Sequence, residues 1–258
     1  MTEGPLSGRV VVVTGVSRAI GIGFGLARRL ASDGATLFLT GWSGHDEEMP
    51  WGLGERRVDE LIDELRSGGA EAVHDEIDLA EEVGPAQVIE RATARFGHVD
   101  CLVADHARSS HQSLIELTAE ELDLTLAVNV RATLLLAKEF VARHDDRPGG
   151  RIVLFTSGQY LGAMPDELPY VASKGALHQV TASLAEALMA RGITVNTVNP
   201  GPVDTGYASG DSHDEIAARF PQRRWGSATD TARLVAWLLS DEAAWITGQV
   251  IASDGGFR

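Results

Sequence analysis

The segment from Ser157 to Lys174 contains a serine, a tyrosine and a lysine, three residue types that can take part in proton transfer. Tyr170 and Lys174 are four residues apart, which places them on one face if the segment is helical. Because an ammonium beside a phenol favours the phenolate, we expect Lys174 to lower the pKa of Tyr170 from about 10. Such a tyrosine can be a general acid or base at a carbonyl or alcohol oxygen, to which Ser157 can donate a second hydrogen bond.

The plainer alternative is a helix start in which a tyrosine and a lysine happen to share a face, since Pro169 suits a first helical turn. The lysine usage of the chain argues against this alternative. Only Lys138 and Lys174 are lysines among the 22 basic residues, so a chain that otherwise uses arginine has a lysine here. Lysine has a tunable pKa, whereas arginine stays charged. We therefore interpret the pair as catalytic.

The composition of the chain excludes several classes of function. The 258 residues carry a net charge of −15, which disfavours binding to nucleic acid or to an anionic membrane. The single cysteine, Cys101, allows no internal disulfide, and the eight histidines have no metal-ligand spacing, so we predict no metal. The N-terminus lacks the pattern of a signal peptide, and no apolar run reaches membrane-spanning length. We predict a cytoplasmic protein.

The elements that must position the candidate residues alternate along the chain between short apolar runs and amphipathic segments. Strands are predicted over 9–14, 35–40, 70–78, 99–103, 151–155, 194–198 and 249–252, and helices over 24–32, 55–66, 85–96, 119–143, 170–190 and 229–239. This alternation predicts a single doubly wound α/β domain over 1–258, with a mostly parallel seven-stranded sheet and helices on both faces. Ser157 then follows the fifth strand, and Tyr170 begins a long helix.

A glycine-rich turn joins the first predicted strand to the first predicted helix. Gly15, Gly21 and Gly23 lie between the apolar run that ends at Thr14 and the helical spacing that starts at Phe24. A turn in this place lets the backbone approach a pyrophosphate, whose charge a helix N-terminus favours. An ordinary strand-to-helix loop is the alternative.

The end of the second predicted strand bears on the type of dinucleotide. A chain that binds NAD usually has an acid there for the ribose 2′-hydroxyl, but here Trp42 and Ser43 occupy the place and no acid occurs before Asp46. Arg18, inside the glycine turn, can meet a 2′-phosphate, although a solvated loop arginine is the alternative. Both observations favour NADP(H), with NAD(H) as the second choice.

Two segments without a predicted strand or long helix would flank the ligand. The loop over 41–54, which includes Trp42 and Trp51, would cover the adenine end of a cofactor or form a surface excursion. The irregular segment over 206–226 would form a substrate lid. Apolar side chains near the presumed substrate, among them Met164 and Tyr207, favour a partly apolar ketone, while the substrate itself stays open.

Taken in order, these motifs resemble the classical short-chain dehydrogenase/reductase family over the whole chain, close to its bacterial 3-oxoacyl-carrier-protein-reductase-like members. The four catalytic positions of that family match Asn129, Ser157, Tyr170 and Lys174. Its cofactor-binding segments match Gly15, Ser17, Arg18, Gly21, Ile22, Gly23, Trp42, Asp78, Leu79, Pro200, Gly201, Val203 and Thr205. The segments that begin at Ile246 and Asp254 resemble the C-terminal tail of the family.

The resemblance implies a Rossmann-type fold and an NADP(H)-dependent oxidoreductase that interconverts a ketone and a secondary alcohol, commonly as a homotetramer or homodimer. It implies that Tyr170 exchanges the proton, that Lys174 contacts the nicotinamide ribose and that Ser157 polarises the carbonyl. It also implies that Asn129 holds a water that relays protons to Lys174. A polar residue bonded to nearby backbone is the alternative for Asn129. The partner implied is a small-molecule carbonyl or alcohol.

One segment departs from the family pattern. Ala104-Asp-His-Ala107 stands where the family usually has Asn-Asn-Ala-Gly. Asp105 introduces an anion near a polyanionic cofactor unless His106 or Arg108 offsets it, and His106 is either a substrate contact or a tolerated structural variant. The departure keeps open two other functions: a nucleotide- or partner-binding protein without redox turnover, and an acid–base enzyme without redox chemistry.

Overall fold

Seven parallel strands form one sheet in the computed structural model, which describes residues 4–49, 52–208 and 210–257. The strands are β1 (Val10–Thr14), β2 (Thr36–Gly41), β3 (Ala72–Glu76), β4 (Cys101–Ala104), β5 (Arg151–Phe155), β6 (Thr194–Asn199) and β7 (Val250–Ala252). Their order across the sheet is β3-β2-β1-β4-β5-β6-β7. The predicted parallel α/β sheet is confirmed. Trp51 and Ser209, which fall in the two predicted loops, lie outside the described residues.

Nine α-helices occur among the described residues. They are α1 (Ile22–Ser32), α2 (Ser43–Glu48), α3 (Val58–Ser67), α4 (Gly84–Phe96), α5 (Ala119–Leu126), α6 (Ala132–Arg143), α7 (Leu168–Leu188), α8 (Asp211–Arg219) and α9 (Ala228–Leu239). Thr118 caps α5, as its spacing to Glu121 predicts, by accepting a hydrogen bond from the Glu121 N–H at 3.2 Å. Pro169 lies in the first turn of α7, as predicted.

The central strands β1, β2, β4 and β5 are buried on both faces, which explains their nearly continuous apolar runs. Val11 and Val13 of β1 belong to a core with the apolar sides of α1, α3 and α9, whereas Val10 and Val12 belong to a core with α4, α6 and α7. Alternate residues of one strand thus serve opposite faces. In this part of the chain, no helix is long and apolar enough to span a membrane.

Three predicted segments differ in the structure. The predicted loop over 41–54 contains α2, and the predicted irregular segment over 206–226 contains α8. Both helices are short and carry mainly polar residues, so neither has the apolar stripe on which the predictions relied. The helix predicted to run unbroken to Arg143 is divided by a π-helical stretch, Ala127–Arg131, between α5 and α6.

The strand order reverses at β1, whose two neighbours are β2 and β4. Parallel strands bring their carboxyl ends to one edge of the sheet, and ligands bind outside this edge where the order reverses. The glycine turn follows β1 at this edge. Ser157 follows β5, and Asn199 ends β6. The fold therefore gathers the predicted site residues at one edge.

Candidate active site

The glycine turn lies in close contact with the ends of the neighbouring strands. Gly15 has φ +81°, and a Cβ built on it would lie 2.9 Å from the backbone nitrogen of His106, just after β4. A Cβ on Gly23 would lie 2.3 Å from the carbonyl oxygen of Gly15. A Cβ on Gly41 would lie 2.5 Å from the carbonyl oxygen of Val16. Side chains at these positions would force the turn away from the sheet.

The N-terminus of α1 faces the cavity beside this turn. Gly21 precedes the helix without a side-chain cap, and no acidic residue lies in the first helical turn. Gly21 and Ile22 both line the cavity. The first N–H groups of a helix have no intrahelical acceptor, so they suit an anion such as a pyrophosphate. The chemistry of this cradle fits the phosphates of a dinucleotide.

Arg18 is already engaged in the protein. Its Nε lies 3.0 Å from Oδ1 of Asp46, and its Nη1 donates a hydrogen bond to the carbonyl oxygen of Thr205 at 3.0 Å. Burial lowers the pKa of the Arg18 guanidinium, and the charge of Asp46 counteracts part of that effect. The sequence placed Asp46 beyond the end of the second strand, but α2 folds it back to the glycine turn. A 2′-phosphate would therefore compete with Asp46 for Arg18.

Ser157 and Tyr170 line the same cavity as the glycine turn, and its volume is about 820 Å³. Ser157 follows β5, and Tyr170 lies in the first turn of α7. Other predicted positions that line this cavity are Gly15, Ser17, Arg18, Gly21, Ile22, Trp42, Asp78, Leu79, Pro200, Gly201, Val203 and Thr205. Three further predicted residues, Gly23, Asn129 and Lys174, are buried and do not line it. The side chain of Lys174 is buried and 2% exposed.

The acidity of Tyr170 differs from the sequence-based prediction. Burial raises the pKa of the phenol to about 12, and the negative charges of Glu167 and Asp105 act in the same direction. The Ser157 hydroxyl opposes this shift by hydrogen bonding. The predicted lowering of the Tyr170 pKa is therefore wrong here, because burial outweighs any help from Lys174, whose Nζ lies 5.6 Å from the ring centroid. At neutral pH the phenol keeps its proton.

Lys174 lies beneath Tyr170 on α7. Its Nζ donates a hydrogen bond to the carbonyl oxygen of Phe155, the last residue of β5, at 3.1 Å. Burial lowers the pKa of the ammonium to about 8, while the charge of Asp105 raises it. The lysine is thus charged at neutral pH but loses its charge at mildly alkaline pH.

Asn129 lies in the π-helical stretch and is fully buried. Its Nδ2 donates to the Ser173 hydroxyl at 2.9 Å and to the carbonyl oxygen of Arg108 at 3.0 Å. Its Oδ1 accepts a hydrogen bond from the Arg108 N–H at 2.6 Å. The amide therefore holds the segment after β4 against α7, which corresponds to the structural alternative stated for this residue.

His106 belongs to the segment after β4 that departs from the family pattern, and its side chain is hydrogen-bonded within the protein. Its Nδ1 lies 2.7 Å from the Thr14 hydroxyl, and its Nε2 lies 3.0 Å from the carbonyl oxygen of Val128. Burial lowers the pKa of this imidazole to about 3, so the ring is neutral. Both ring nitrogens have partners within the protein, which supports the interpretation of His106 as a structural variant.

Neither of the predicted cations offsets Asp105. His106 is neutral, and Arg108 forms an ion pair with Glu121 at 2.9 Å and a longer one with Glu48 at 3.4 Å. The cation that acts on Asp105 is Lys174. Burial raises the pKa of Asp105 well above its ordinary value, and Lys174 opposes that shift.

Some residues around the site were not predicted. The Gln159 carboxamide accepts a hydrogen bond from the Ser157 N–H at 3.1 Å and so holds the backbone of the candidate serine. Glu167 and Phe257 also line the cavity. A glutamine two residues after the serine is a local signal for the first of these contacts. Phe257 reaches the site only through the fold, so its position was not readable from the sequence.

The segment predicted as a lid forms one wall of the cavity through α8. Its ends are brought together by a bridge between Val203 and Gly226. The Trp225 indole donates to the carbonyl oxygen of His213 at 2.9 Å, and the rings of Phe220 and Phe257 lie 4.8 Å apart. Among the described residues, no group of three or more histidines, cysteines and acids is arranged to hold a metal ion.

Comparison with known proteins gives consistent matches over nearly the whole chain. Residues 15–258 match the family model described as Enoyl-(Acyl carrier protein) reductase. The uncharacterized oxidoreductase YjdA of Bacillus subtilis is 37% identical over 251 residues, which cover 96% of each chain.

Solved structures are also similar. A short-chain dehydrogenase/reductase from Serratia marcescens has a TM-score of 0.88 and 32% identity, with 98% of this chain and 99% of that chain covered. A short chain dehydrogenase from Burkholderia cenocepacia, solved in complex with NADP, has a TM-score of 0.86 and 34% identity, with 98% of each chain covered.

Proposed function

This chain belongs to the short-chain dehydrogenase/reductase family of oxidoreductases, and from that premise we propose that it interconverts a ketone and a secondary alcohol with NADP(H). The observation that supports this reaction most directly is the shared cavity of about 820 Å³, which is lined by Ser157, Tyr170 and the glycine turn. A hydride carrier on the turn and a carbonyl at the two hydroxyls would then meet in one space.

The cofactor would be held mainly by backbone. The turn from Gly15 to Ile22 would bind the pyrophosphate, and Asp78 and Leu79 would contact the adenine. The segment Pro200, Gly201, Val203 and Thr205 would pass the nicotinamide, and Ser17 and Trp42 would shape the adenosine side. Gly23 would let the start of α1 pack closely against the glycine turn. Arg18 and the absence of an acid at Trp42 and Ser43 favour NADP(H) over NAD(H), and the Burkholderia relative was solved with NADP. The bound nicotinamide supplies the hydride in reduction and accepts it in oxidation.

The proton steps belong to this chain's own residues. In reduction, Tyr170 donates its phenolic proton to the carbonyl oxygen as the carbonyl carbon receives hydride, which yields the alcohol. The Ser157 hydroxyl donates a second hydrogen bond to that oxygen. The Lys174 ammonium stabilises the phenolate that remains after this proton transfer. Asn129 holds the segment after β4 against α7, the helix that carries Tyr170 and Lys174. In oxidation, the phenolate takes the proton back.

The side chains that line the cavity indicate the substrate class. Met164 and Tyr207 line the cavity with polar neighbours, which favours a partly apolar carbonyl compound. We propose that the whole chain, 1–258, acts as one cytoplasmic domain, assembled as a homotetramer or homodimer. The segment over 206–226 would close on the substrate through α8.

Calorimetric titration with NADPH and, separately, NADH tests the cofactor assignment. We expect NADPH to bind more tightly, and Arg18→Ala to weaken NADPH binding about 10-fold, about 1.4 kcal/mol, with little effect on NADH. Tighter binding of NADH would contradict the NADP(H) preference. Binding of neither by a folded sample would contradict the proposed function and favour a role without redox turnover.

Turnover of a panel of ketones, followed through the absorbance of NADPH, tests the reaction. Tyr170→Phe should lose about 1000-fold in kcat, which is the scale of general acid catalysis, and should still bind NADPH. Tyr160→Phe is the matched control, because this exposed tyrosine does not line the cavity and its hydroxyl only accepts a hydrogen bond from the Asn199 amide. Full activity of Tyr170→Phe would overturn the mechanism, and product formation without nicotinamide would indicate acid–base chemistry instead.

A further inference from the structure

Asp105 is placed by the sheet itself. It is the first residue after β4, and it lines the cavity together with Tyr170. In the register between β4 and β5, Ala104 lies opposite Leu154, so Asp105 follows at the level of Phe155. The carbonyl oxygen of Phe155 is the acceptor of Lys174 Nζ. Adjacent strand ends thus bring Asp105 and the Lys174 ammonium to the same level of the sheet, and the two groups act on each other without a direct ion pair.

The other charged groups around this place are accounted for. At the start of α7, Glu167 and Tyr170 are the titratable neighbours, and Tyr207 also lines the cavity near Tyr170. After β4, His106 is neutral and hydrogen-bonded through both ring nitrogens. Arg108 is ion-paired with glutamates. Lys174 is the positive charge that acts on Asp105, and the Asp105 carboxyl makes no hydrogen bond to the residues that the structure describes.

We propose that Asp105 is a charge partner of Lys174, a positioning residue that keeps the lysine protonated and sets the pH range in which Tyr170 exchanges its proton. This inference rests on the proposed oxidoreductase function for its consequence in catalysis, but the charge pair itself does not depend on turnover. It also assigns a role to the segment that departs from the family pattern: the anion faces the catalytic lysine.

The direction of the effect follows from electrostatics. Burial raises the pKa of Asp105 itself, whereas the charge of Lys174 favours its ionised form, in which Asp105 acts on its neighbours. In that form its negative charge favours the protonated form of each neighbouring group and so raises the pKa of both Lys174 and Tyr170. For Lys174 this opposes the effect of burial, which lowers its pKa to about 8. Removing the charge while keeping the shape, as in Asp105→Asn, should therefore let both groups lose their protons at lower pH. The asparagine is nearly isosteric and is the residue type that the family usually has there.

The lysine content of the chain allows a direct measurement. With only Lys138 and Lys174 present, protein labelled with ¹³C-lysine gives two side-chain Cε–Hε signals, and Lys174→Met assigns them. We expect the Lys174 signal to titrate near pH 8 in the wild-type protein and about one pH unit lower in Asp105→Asn. Lys138, on the surface of α6, is the internal reference.

Matched variants separate the local charge from other effects. Asp123→Asn makes the same change in net charge at an exposed position on α5 and should leave the Lys174 signal unmoved. Asp105→Ala removes the same charge with a different side-chain volume, and it should reproduce the downward shift if Asp105→Asn folds poorly. An unchanged or higher Lys174 midpoint in a folded Asp105 variant would overturn the proposal.

The kinetic consequence is tested on the same variants. The alkaline limit of ketone reduction should move down by about one pH unit in Asp105→Asn, and the acidic limit of alcohol oxidation should move down as well. A purely structural role would lower kcat equally at every pH and leave both limits in place, which would overturn the proposal. If no ketone turns over in the wild-type protein, the proposed function fails, and the lysine titration still decides on the charge pair.

Discussion

The two ends of the cavity are built in different ways. At the phosphate end, formed by the glycine turn and the N-terminus of α1, close approach of backbone leaves no room for side chains at Gly15 or Gly23. At the catalytic end, formed by the ends of β4 and β5 and the start of α7, titratable side chains are packed away from water. Lys174 there is 2% exposed. The phosphate end therefore depends on shape, and the catalytic end depends on charge tuned by burial.

This difference predicts different responses to change. A side chain added to the phosphate end meets backbone that cannot give way, so binding is lost abruptly. A charge changed at the catalytic end shifts the pH range of a proton transfer and leaves the architecture in place. Substitutions that act on one end alone test whether the two ends are independent.

Gly15→Ala should have the largest effect on the phosphate end. The new Cβ would meet the backbone nitrogen of His106 at 2.9 Å, and the positive φ adds strain. We expect NADPH affinity to fall about 100-fold, ~2.7 kcal/mol, because the turn must move away from the pyrophosphate. Calorimetric titration measures the loss.

Gly69→Ala is the matched control for backbone strain. Gly69 has φ +93°, yet nothing lies within 4 Å of its added Cβ. Both variants should lose roughly 1–2 kcal/mol of unfolding free energy from the positive φ, measured with denaturant, but only Gly15→Ala should lose cofactor binding. Equal NADPH affinities in the two variants would show that the close approach at Gly15 is dispensable.

His106→Ala tests the connection between the two ends. The imidazole joins Thr14, which precedes the glycine turn, to Val128, which precedes Asn129. Removing it leaves a buried carbonyl without its donor, so we expect the unfolding free energy to fall by about 2 kcal/mol. His178→Ala is the control, because that half-buried histidine makes a ring contact with Tyr160. No loss of stability relative to this control would contradict a structural role.

The pH dependence of the unfolding free energy, compared between His106→Ala and the wild-type protein, gives an independent test. Burial lowers the pKa of His106 to about 3, whereas an unfolded histidine titrates near 6.5. The unfolded chain therefore binds this proton first, and stability should fall as pH drops from about 6.5 toward 3. His106→Ala should remove up to about 1.4 kcal/mol per pH unit of that slope. An identical slope in variant and wild type would show that the folded protein does not lower the pKa of this ring, which would contradict its burial as a neutral group.

The fold was largely predictable from the sequence because its strongest signals are local. The central strands β1, β2, β4 and β5 are mainly runs of β-branched and apolar residues, and the bounds predicted for the fifth strand, 151–155, agree with β5. The short helices α2 and α8 were missed because they carry no apolar stripe. Residue type and spacing also identified Ser157, Tyr170 and the glycine turn as candidates, and all three line one cavity.

The electrostatics of the site were not predictable in the same way. The pKa of Tyr170 rises because of burial, and the sequence shows an adjacent lysine but not the depth of the phenol. The pair of Arg18 with Asp46 joins residues on two separate elements, which only the fold brings together. Spacing along a chain identifies groups that can react, whereas the charge they carry depends on the solvent and neighbours that the tertiary structure gives them.

Asp46→Asn should have the smallest effect on NADPH affinity. It removes the negative charge that pairs with Arg18 at the phosphate end. Asp46 holds Arg18 at 3.0 Å, so a 2′-phosphate must displace or share this partner. An asparagine still accepts a hydrogen bond but no longer competes as an anion. We expect NADPH to bind about 3-fold more tightly, under 1 kcal/mol, with NADH nearly unchanged. The gain is small because Asp46 also anchors α2 beside the turn.

The opposite responses of Arg18→Ala and Asp46→Asn sharpen this reading. If the pair selects the cofactor, the ratio of NADPH to NADH affinity falls in the first variant and rises in the second. If the pair only holds α2 against the glycine turn, both variants lose affinity for both cofactors in parallel. Titration of each variant with each cofactor at low and at physiological salt distinguishes the two. A contribution from charge should weaken as salt is added, whereas a contribution from shape should not.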